Sequence, residues 1–389
     1  MGIQINGTND NISASDGSLT INGASFSTLQ VNGQNLPTAG PLSNRNLIIN
    51  GAMLVDQRNV GSSYTITGDT QYTLDRWVAR TYSGTGRFSV QQDGSSPDNI
   101  NPSAKLTVTT TDTPGTYGYA FSQRVEGYNF SSLAYGSSSA KAATISFWVR
   151  SSITGTYCFS VRNNDASRSY IAEYSISSAN TWEYKTITIP GATDGTWLTT
   201  NGVGAYLEWN LGAQTSKEST AGSWQTSNYH ATSSQVDWIA TSGATFYITG
   251  VQLEVGEVAT PFEHRNIGDE LARCKRYYSK SYSYQDVPGT NTSDSIQGLR
   301  NWDGDGRTDV PANVRFPVEM RAAPTVKIYT RSGTIDNTSE STDGFTHAAN
   351  RAVSAVRAVG RAGYSTLSHS ASVGGLQFYI WHWTASAEI

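Results

Sequence analysis

The chain has 389 residues, 27 Lys and Arg against 31 Asp and Glu, and a net charge of −4. Only 15% of residues are charged, while 11 Phe, 10 Trp and 21 Tyr are present and Ser plus Thr make up roughly a quarter of the chain. That balance excludes a coiled coil or helical bundle, a disordered chain and a basic nucleic-acid binder, and no run of about 18 apolar residues offers a membrane span.

Residues 1–45 are small, polar and rich in Gly and Asn. An apolar-Asn-Gly triplet recurs at Ile5-Asn6-Gly7, Ile21-Asn22-Gly23, Val31-Asn32-Gly33 and Ile49-Asn50-Gly51. Asn-Gly favours positive φ at both positions, as a type I′ hairpin turn requires. The segment has too few large apolar residues for a core of its own, so it reads as an extended arm ordered by pairing with something else, or else as an unstructured end. The first ten residues show neither a basic n-region nor an apolar h-region, so no secretory leader is expected.

Residues 46–265 alternate with period two. Ile145, Phe147 and Val149 share one face and Ser146, Trp148 and Arg150 the other; Ala205, Leu207, Trp209 and Leu211 oppose Tyr206, Glu208 and Asn210. This is the half-buried strand pattern. Further strands are predicted at Tyr157–Arg162, Tyr184–Ile189 and Thr245–Val255, with Gly-containing turns between them, which gives a large antiparallel sandwich. Over 266–280 the period changes: Ile267, Leu271, Cys274 and Tyr278 fall on one helical face, with Asn266 as N-cap and Asp269 and Glu270 in the first turn. A linking helix is predicted there, with Cys274 a small core residue rather than a reactive thiol. Residues 281–389 read as a C-terminal β-sandwich domain with strands at Arg315–Val318, Thr325–Thr330 and Leu376–Thr384; residues 345–369 have no decisive period. Cys158 and Cys274 are too few and too distant for a disulfide scaffold or a cysteine metal site. The predicted fold is therefore mostly β: an extended arm, a jelly-roll-like sandwich, a short helix and a second β domain.

Five segments occur in order: Asn46–Met53, Tyr72–Trp77, Phe246–Gly256, Ala259–Arg265 and Glu270–Tyr278. As a set they resemble bacteriophage tail-fibre and virion-appendage proteins of aquatic and cyanobacterial phages, whose central domain resembles a carbohydrate-binding-module jelly roll. The resemblance spans residues 46–278. It implies a homotrimeric virion protein made in the host cytoplasm, attached to tail or head proteins through residues 1–45 and facing a host glycan or envelope receptor with its distal part. Two other roles stay open: a structural or decoration component without a receptor, and a polysaccharide depolymerase.

Within such a domain, sugar recognition stacks a ring on the apolar face of a pyranose beside polar groups. Trp148, Arg150, Tyr206, Glu208 and Asn210 are the candidates, and they make one patch if their strands share a sheet; the alternative is that this face is buried in a subunit interface or packed by a loop. A second candidate is Asn301, Asp303, Asp305 and Asp309, with Gly306 at the sharp turn. Oxygens at positions 1, 3, 5 and 9 suit calcium, and the alternative is a solvated acidic turn beside Arg307. Hydrolysis would need two paired carboxylates, and Glu126, Glu173, Glu183, Glu208 and Asp237 cannot be paired from spacing. The five His form no metal spacing, and His382, between Trp381 and Trp383, reads as a packed side chain. The terminal strand Tyr379–Trp383 reads as a core or interface strand in preference to a receptor contact.

Overall fold

The computed structural model describes residues 30–31, 34–35, 44–97, 100–115, 118–301, 308–341, 349–370 and 377–389. The chain divides into two units, 1–38 and 39–389. In the first, β1 (Gln30–Val31) and β2 (Gln34–Asn35) pair antiparallel with Val31 opposite Gln34. The Asn32-Gly33 between them lies outside the described residues, as does the rest of the predicted arm up to residue 43.

In the second unit, thirteen strands among the described residues precede the helix expected near 266–280: β3 (Tyr64–Thr65), β4 (Thr70–Tyr72), β5 (Trp77–Arg80), β6 (Arg87–Asp93), β7 (Ser103–Thr110), β8 (Tyr119–Glu126), β9 (Ala143–Ser151), β10 (Gly155–Arg162), β11 (Ser169–Ile176), β12 (Glu183–Ile189), β13 (Val203–Gly212), β14 (Trp224–Gln225) and β15 (Thr245–Val255), with one short helical turn, Gly127–Phe130, between β8 and β9. They build a seven-stranded sheet, β14-β11-β10-β13-β8-β5-β4, and a six-stranded sheet, β12-β9-β15-β7-β6-β3. The chain passes back and forth between the two layers (β7 to β8 to β9, then β11 to β12 to β13), in the manner of a jelly roll. Strict alternation drives this packing. Ile145, Phe147 and Val149 of β9 meet Ala205, Leu207, Trp209 and Leu211 of β13 in one core, all fully buried. Trp77 stacks on Phe121 at 5.0 Å and lies 5.5 Å from Trp209. Each such tryptophan removes roughly 150–250 Å² from water, on the order of 4–6 kcal/mol before ordering costs.

The fourth Asn-Gly triplet is not a hairpin tip. Only Asn50 has positive φ (62°). Its buried side chain accepts from Val55 N at 2.9 Å and donates to the carbonyl oxygens of Val55 and Asp75 at 2.8 and 2.9 Å. Gly51 is required for close approach: a Cβ there would fall 2.1 Å from the Val251 carbonyl oxygen. The pair therefore locks a buried corner instead of reversing a ribbon.

The helix runs Ile267–Lys275, and Asn266 caps it by accepting from Gly268 N at 2.8 Å. It ends five residues short of the predicted 280, and its buried residues are Glu270 and Cys274, while Ile267 is 51% exposed. Tyr278 belongs to a strand. Asn266→Ala should cost about 1 kcal/mol in urea unfolding, and Asn266→Asp should retain the cap; an unchanged midpoint for the alanine variant would show that the buried contacts of Glu270 and Cys274 hold this helix without the cap.

Eight strands follow: β16 (Tyr278–Lys280), β17 (Gln297–Asn301), β18 (Asp309–Arg315), β19 (Thr325–Tyr329), β20 (Asn337–Ser341), β21 (Ala349–Arg357), β22 (Gly363–His369) and β23 (Gln377–Ser386). The order is β16-β23-β20-β21-β22-β18, with β17 and β19 also paired to β23. Val310 and Val314 of β18 share a core with Tyr379, Trp381 and Trp383 of β23, so the sheet closes over its own interior. The aromatic terminal strand is thus core, and Trp381 Nε1 donates to Tyr364 Oη at 2.9 Å. The predicted strand Arg315–Val318 begins where β18 ends, at Arg315, and β18 carries Pro311 at a register shift before Val314, where a missing N–H is tolerated.

This sheet is pinned to the sandwich by desolvated charge. Glu388 binds Arg58 at 3.0 Å and also Arg76. The two guanidinium groups stack over Tyr278 and Tyr277 at 3.8 and 3.6 Å. Arg276 grips Glu126 with bonds of 2.6 and 3.0 Å. Lys280 donates to the carbonyl oxygens of Gln57, Tyr284 and Asp286, and burial brings its pKa down to about 8. Among the described residues no helix is long and apolar enough to cross a membrane.

Candidate functional site

The outward residues of β9 fall on the outer face of the six-stranded sheet. Register places Trp148 between Tyr184 of β12 and Thr249 of β15, and Arg150 beside Tyr247, which in turn sits beside Lys105 of β7. The Trp148 and Tyr184 rings lie 5.2 Å apart, and Trp182 lies 6.0 Å from Tyr247. Tyr184 is 44% exposed, and Trp148 and Trp182 are half-buried. Gly250, at φ +61°, sits at the bulge after Thr249; a Cβ there would lie 3.2 Å from Trp148 Cδ1 and 2.8 Å from Ile100 Cδ1. The missing side chain lets the indole lie down against the strand.

Polar groups surround these rings. Arg150 stacks over Tyr247 at 5.0 Å and donates from Nη1 to Ser95 Oγ at 2.9 Å. Lys105 lies 5.7 Å from the same ring and 3.7 Å from Asp93. Thr249 Oγ1 donates to the Pro102 carbonyl oxygen at 2.7 Å. An open face of rings with donors at its edge can stack pyranose C–H surfaces and hydrogen-bond the hydroxyls around them. Two cavities, about 540 Å³ beside Leu47, Ile49 and Val255 and about 600 Å³ beside Val314, Arg361 and Tyr364, share no lining residue with these rings.

Tyr206, Glu208 and Asn210 do not join this patch. β13 belongs to the seven-stranded sheet, so its outward side chains lie on the opposite outer face. Glu208 is fully buried there. It accepts from Tyr82 Oη at 2.6 Å, meets His230 Nδ1 at 2.9 Å, and has Arg80 and Arg162 at 3.6 and 3.7 Å. Burial alone would raise its pKa, but Arg162, His230 and Arg80 hold it well below the ordinary glutamate value. Asn210 Nδ2 donates to the His230 carbonyl oxygen at 2.6 Å, and Tyr206 lies under the Arg162 and Arg124 guanidinium groups. The adjoining cavity, lined by Tyr82, Asn210 and His230, measures about 10 Å³, room for about one water at most. Glu208 and Asn210 hold the fold together and have no room for a sugar.

Of the other candidate carboxylates, Asp237 is exposed and the remaining three are engaged separately. Glu126 receives Tyr277 Oη and Arg276, Glu173 receives Thr232 Oγ1, and Glu183 receives Lys185 and the Ser177 N–H. Of the predicted calcium loop, Asp303 and Asp305 lie outside the described residues, as does the Asn301 side chain. Asp309 accepts from Ser368 Oγ at 2.5 Å, with Arg357 at 3.8 Å. Among the described residues no group of three or more His, Cys, Asp or Glu side chains is placed to hold a metal. Both cysteines are free and buried, and burial pushes the Cys274 thiol up. His382 stacks on Tyr282 at 4.0 Å, and its burial pulls its pKa down.

Trp182, Tyr184, Tyr247 and Lys105 are the residues of this face that the sequence reading missed. The signal was present: Trp182 and Tyr184 are two residues apart at the start of a predicted strand, and Tyr247 alternates with Phe246 and Ile248 in another.

No protein-family model matches the chain, and no curated protein matches it in sequence. Several solved structures are similar. The enzymatically active domain of tailspike protein 4 from bacteriophage CBA120 matches at 12% identity and TM-score 0.27 over 54% of this chain, so the chain spans only 21% of that structure. A CBM4 structure matches at 16% identity and TM-score 0.28, over 53% of this chain and 98% of the other. The family 11 carbohydrate-binding module of a Clostridium thermocellum cellulosomal cellulase matches at 13% identity and TM-score 0.26, over 52% and 98%.

Proposed function

We propose that this protein binds surface glycans through the outer face of its six-stranded sheet, as a homotrimeric tail fibre or similar appendage of a phage virion. The observation that carries the binding role is the ring pair of exposed Tyr184 and half-buried Trp148, beside Trp182 and Arg150 and over the buried Tyr247, on the outer face of one sheet. The virion role is supported by the ordered motif set over 46–278 and by a low-charge, Tyr- and Thr-rich β composition suited to presenting a surface. Residues 1–45 would attach to the particle. The proposed action makes and breaks no bond. Three weak sites on one trimer, repeated over several appendages, hold a repetitive envelope far more tightly than one site does.

The test uses the purified full chain. Its solution mass should be three times the 41.9 kDa of one chain, it should bind saturably to host-envelope polysaccharide on a glycan array, and it should block phage adsorption. A chain that binds no polysaccharide and leaves adsorption unchanged overturns the receptor role.

A further inference from the structure

On the premise that this face binds sugar, we infer that its ligand is an anionic glycan and that Arg150 reads the negative charge. Other sandwich guanidinium groups stacked on rings have acceptors of full or strong partial charge. Arg58 has Asp75 and Glu388, Arg76 has Glu388, Arg80 and Arg162 share Glu208, and Arg124 has the carbonyl oxygen of Ile389. Arg150 differs. It is half-buried over Tyr247, yet among the described residues its one acceptor is the Ser95 hydroxyl. Its Nε is buried without a partner, as are those of Arg76, Arg80, Arg124 and Arg162, so the difference lies in the counter-charge: among the described residues Arg150 has no ion pair. Asp93, at the end of β6, is paired with Lys105.

A guanidinium held partly out of water without a counter-charge is an unfavourable state that an arriving anion relieves. The fixed stack on Tyr247 and the bond to Ser95 orient the group before binding, so little side-chain entropy is lost on capture. A carboxylate or phosphate carried by the sugar would receive charge-assisted bonds from the Nη edge while its ring lies on Trp148 and Tyr184. Lys105, across Tyr247, is balanced by Asp93, which leaves Arg150 as the uncompensated charge of this row. The shared chemistry is a sugar bearing an oxyanion; uronates and phosphorylated sugars are its two sources.

The experiment compares three galactose-based oligosaccharides of equal length: neutral, uronate and 6-phosphorylated. Titrated into the full chain, at least one acidic form should bind about tenfold or more tightly than the neutral one, and the preference should shrink as salt is raised. The acidic form that wins identifies the source. Arg150→Gln should abolish the preference, so that the acidic and neutral forms bind alike, and Arg150→Lys should restore part of it. Equal affinity for all three overturns the anionic preference while leaving glycan binding intact. A preference that survives in Arg150→Gln overturns the role of this residue. Failure of all three to bind, in a chain that also binds no envelope polysaccharide, removes the premise itself.

Discussion

Glu208→Ala should destabilise the full chain by about 3–5 kcal/mol, because removing one partner of a buried ion cluster leaves the others charged and dry. The carboxylate is completely buried, and Arg80, Arg162 and His230 converge on it. Without it, the Tyr82 hydroxyl loses its acceptor as well. For a domain of this size the loss corresponds to a fall in Tm of about 10 °C. The pH dependence follows from the same cluster. The folded pKa of Glu208 is depressed below the ordinary value of 4.5. The unfolded chain therefore takes up this proton first, so the contribution is complete above about pH 4.5 and is lost as pH falls below it. Wild type should lose Tm on acidification in that window, and Glu208→Gln should lose less. Removing Arg162 together with Glu208, as Arg162→Met with Glu208→Leu, should recover part of the deficit. A cost below about 1 kcal/mol for Glu208→Ala would mean that water reaches the cluster and screens it.

Glu208 also marks the limit of what alternation reveals. Period two located β9, β10, β12, β13 and β15 to within about two residues, and it assigned Phe147 and Trp209 to the core correctly. It could not say which strands are neighbours, because pairing is a long-range property: β9 and β13 are separated by three strands in sequence and lie in different layers. A polar position between apolar ones has the same period whether it faces solvent, a subunit interface or a covering loop. On the seven-stranded sheet that face is itself covered, since Tyr82 and His230 come from loops far away in sequence. The helix shows the same limit at its end. The helical spacing runs on to Tyr278, but Tyr278–Lys280 is drawn into β16 by pairing with β23, more than a hundred residues later. In the C-terminal sheet, Pro311 obscured β18 because a proline argues against a strand unless the strand is bulged. Of the aromatic face, alternation singles out only Trp148 and Arg150; Trp182, Tyr184, Tyr247 and Lys105 lie on other strands, and which strands flank β9 is again a matter of long-range pairing.

That assembly makes the two outer faces separable by experiment, and Trp148→Ala is the decisive substitution. It should weaken binding to the envelope polysaccharide by about 30-fold, roughly 2 kcal/mol, the range of an anchoring aromatic residue. Trp148 is central to the face: Tyr184 flanks it on one side and Thr249 on the other, and Gly250 lets the ring lie flat. Tyr184→Ala, at the more exposed edge strand, should cost less, about tenfold. The loss should come without a comparable fall in Tm, because the indole is half-buried and outside the core cluster. Tyr206→Ala on the opposite face supplies the control. Tyr206 is also an aromatic residue beside arginines, but its ring lies under Arg162 and Arg124, so its removal should leave affinity within about twofold. Each variant is to be measured by affinity electrophoresis in gels containing the polysaccharide. If Tyr206→Ala abolishes retardation while Trp148→Ala keeps it, the binding face is the seven-stranded sheet and the ring platform of β9 and β12 serves contacts between subunits.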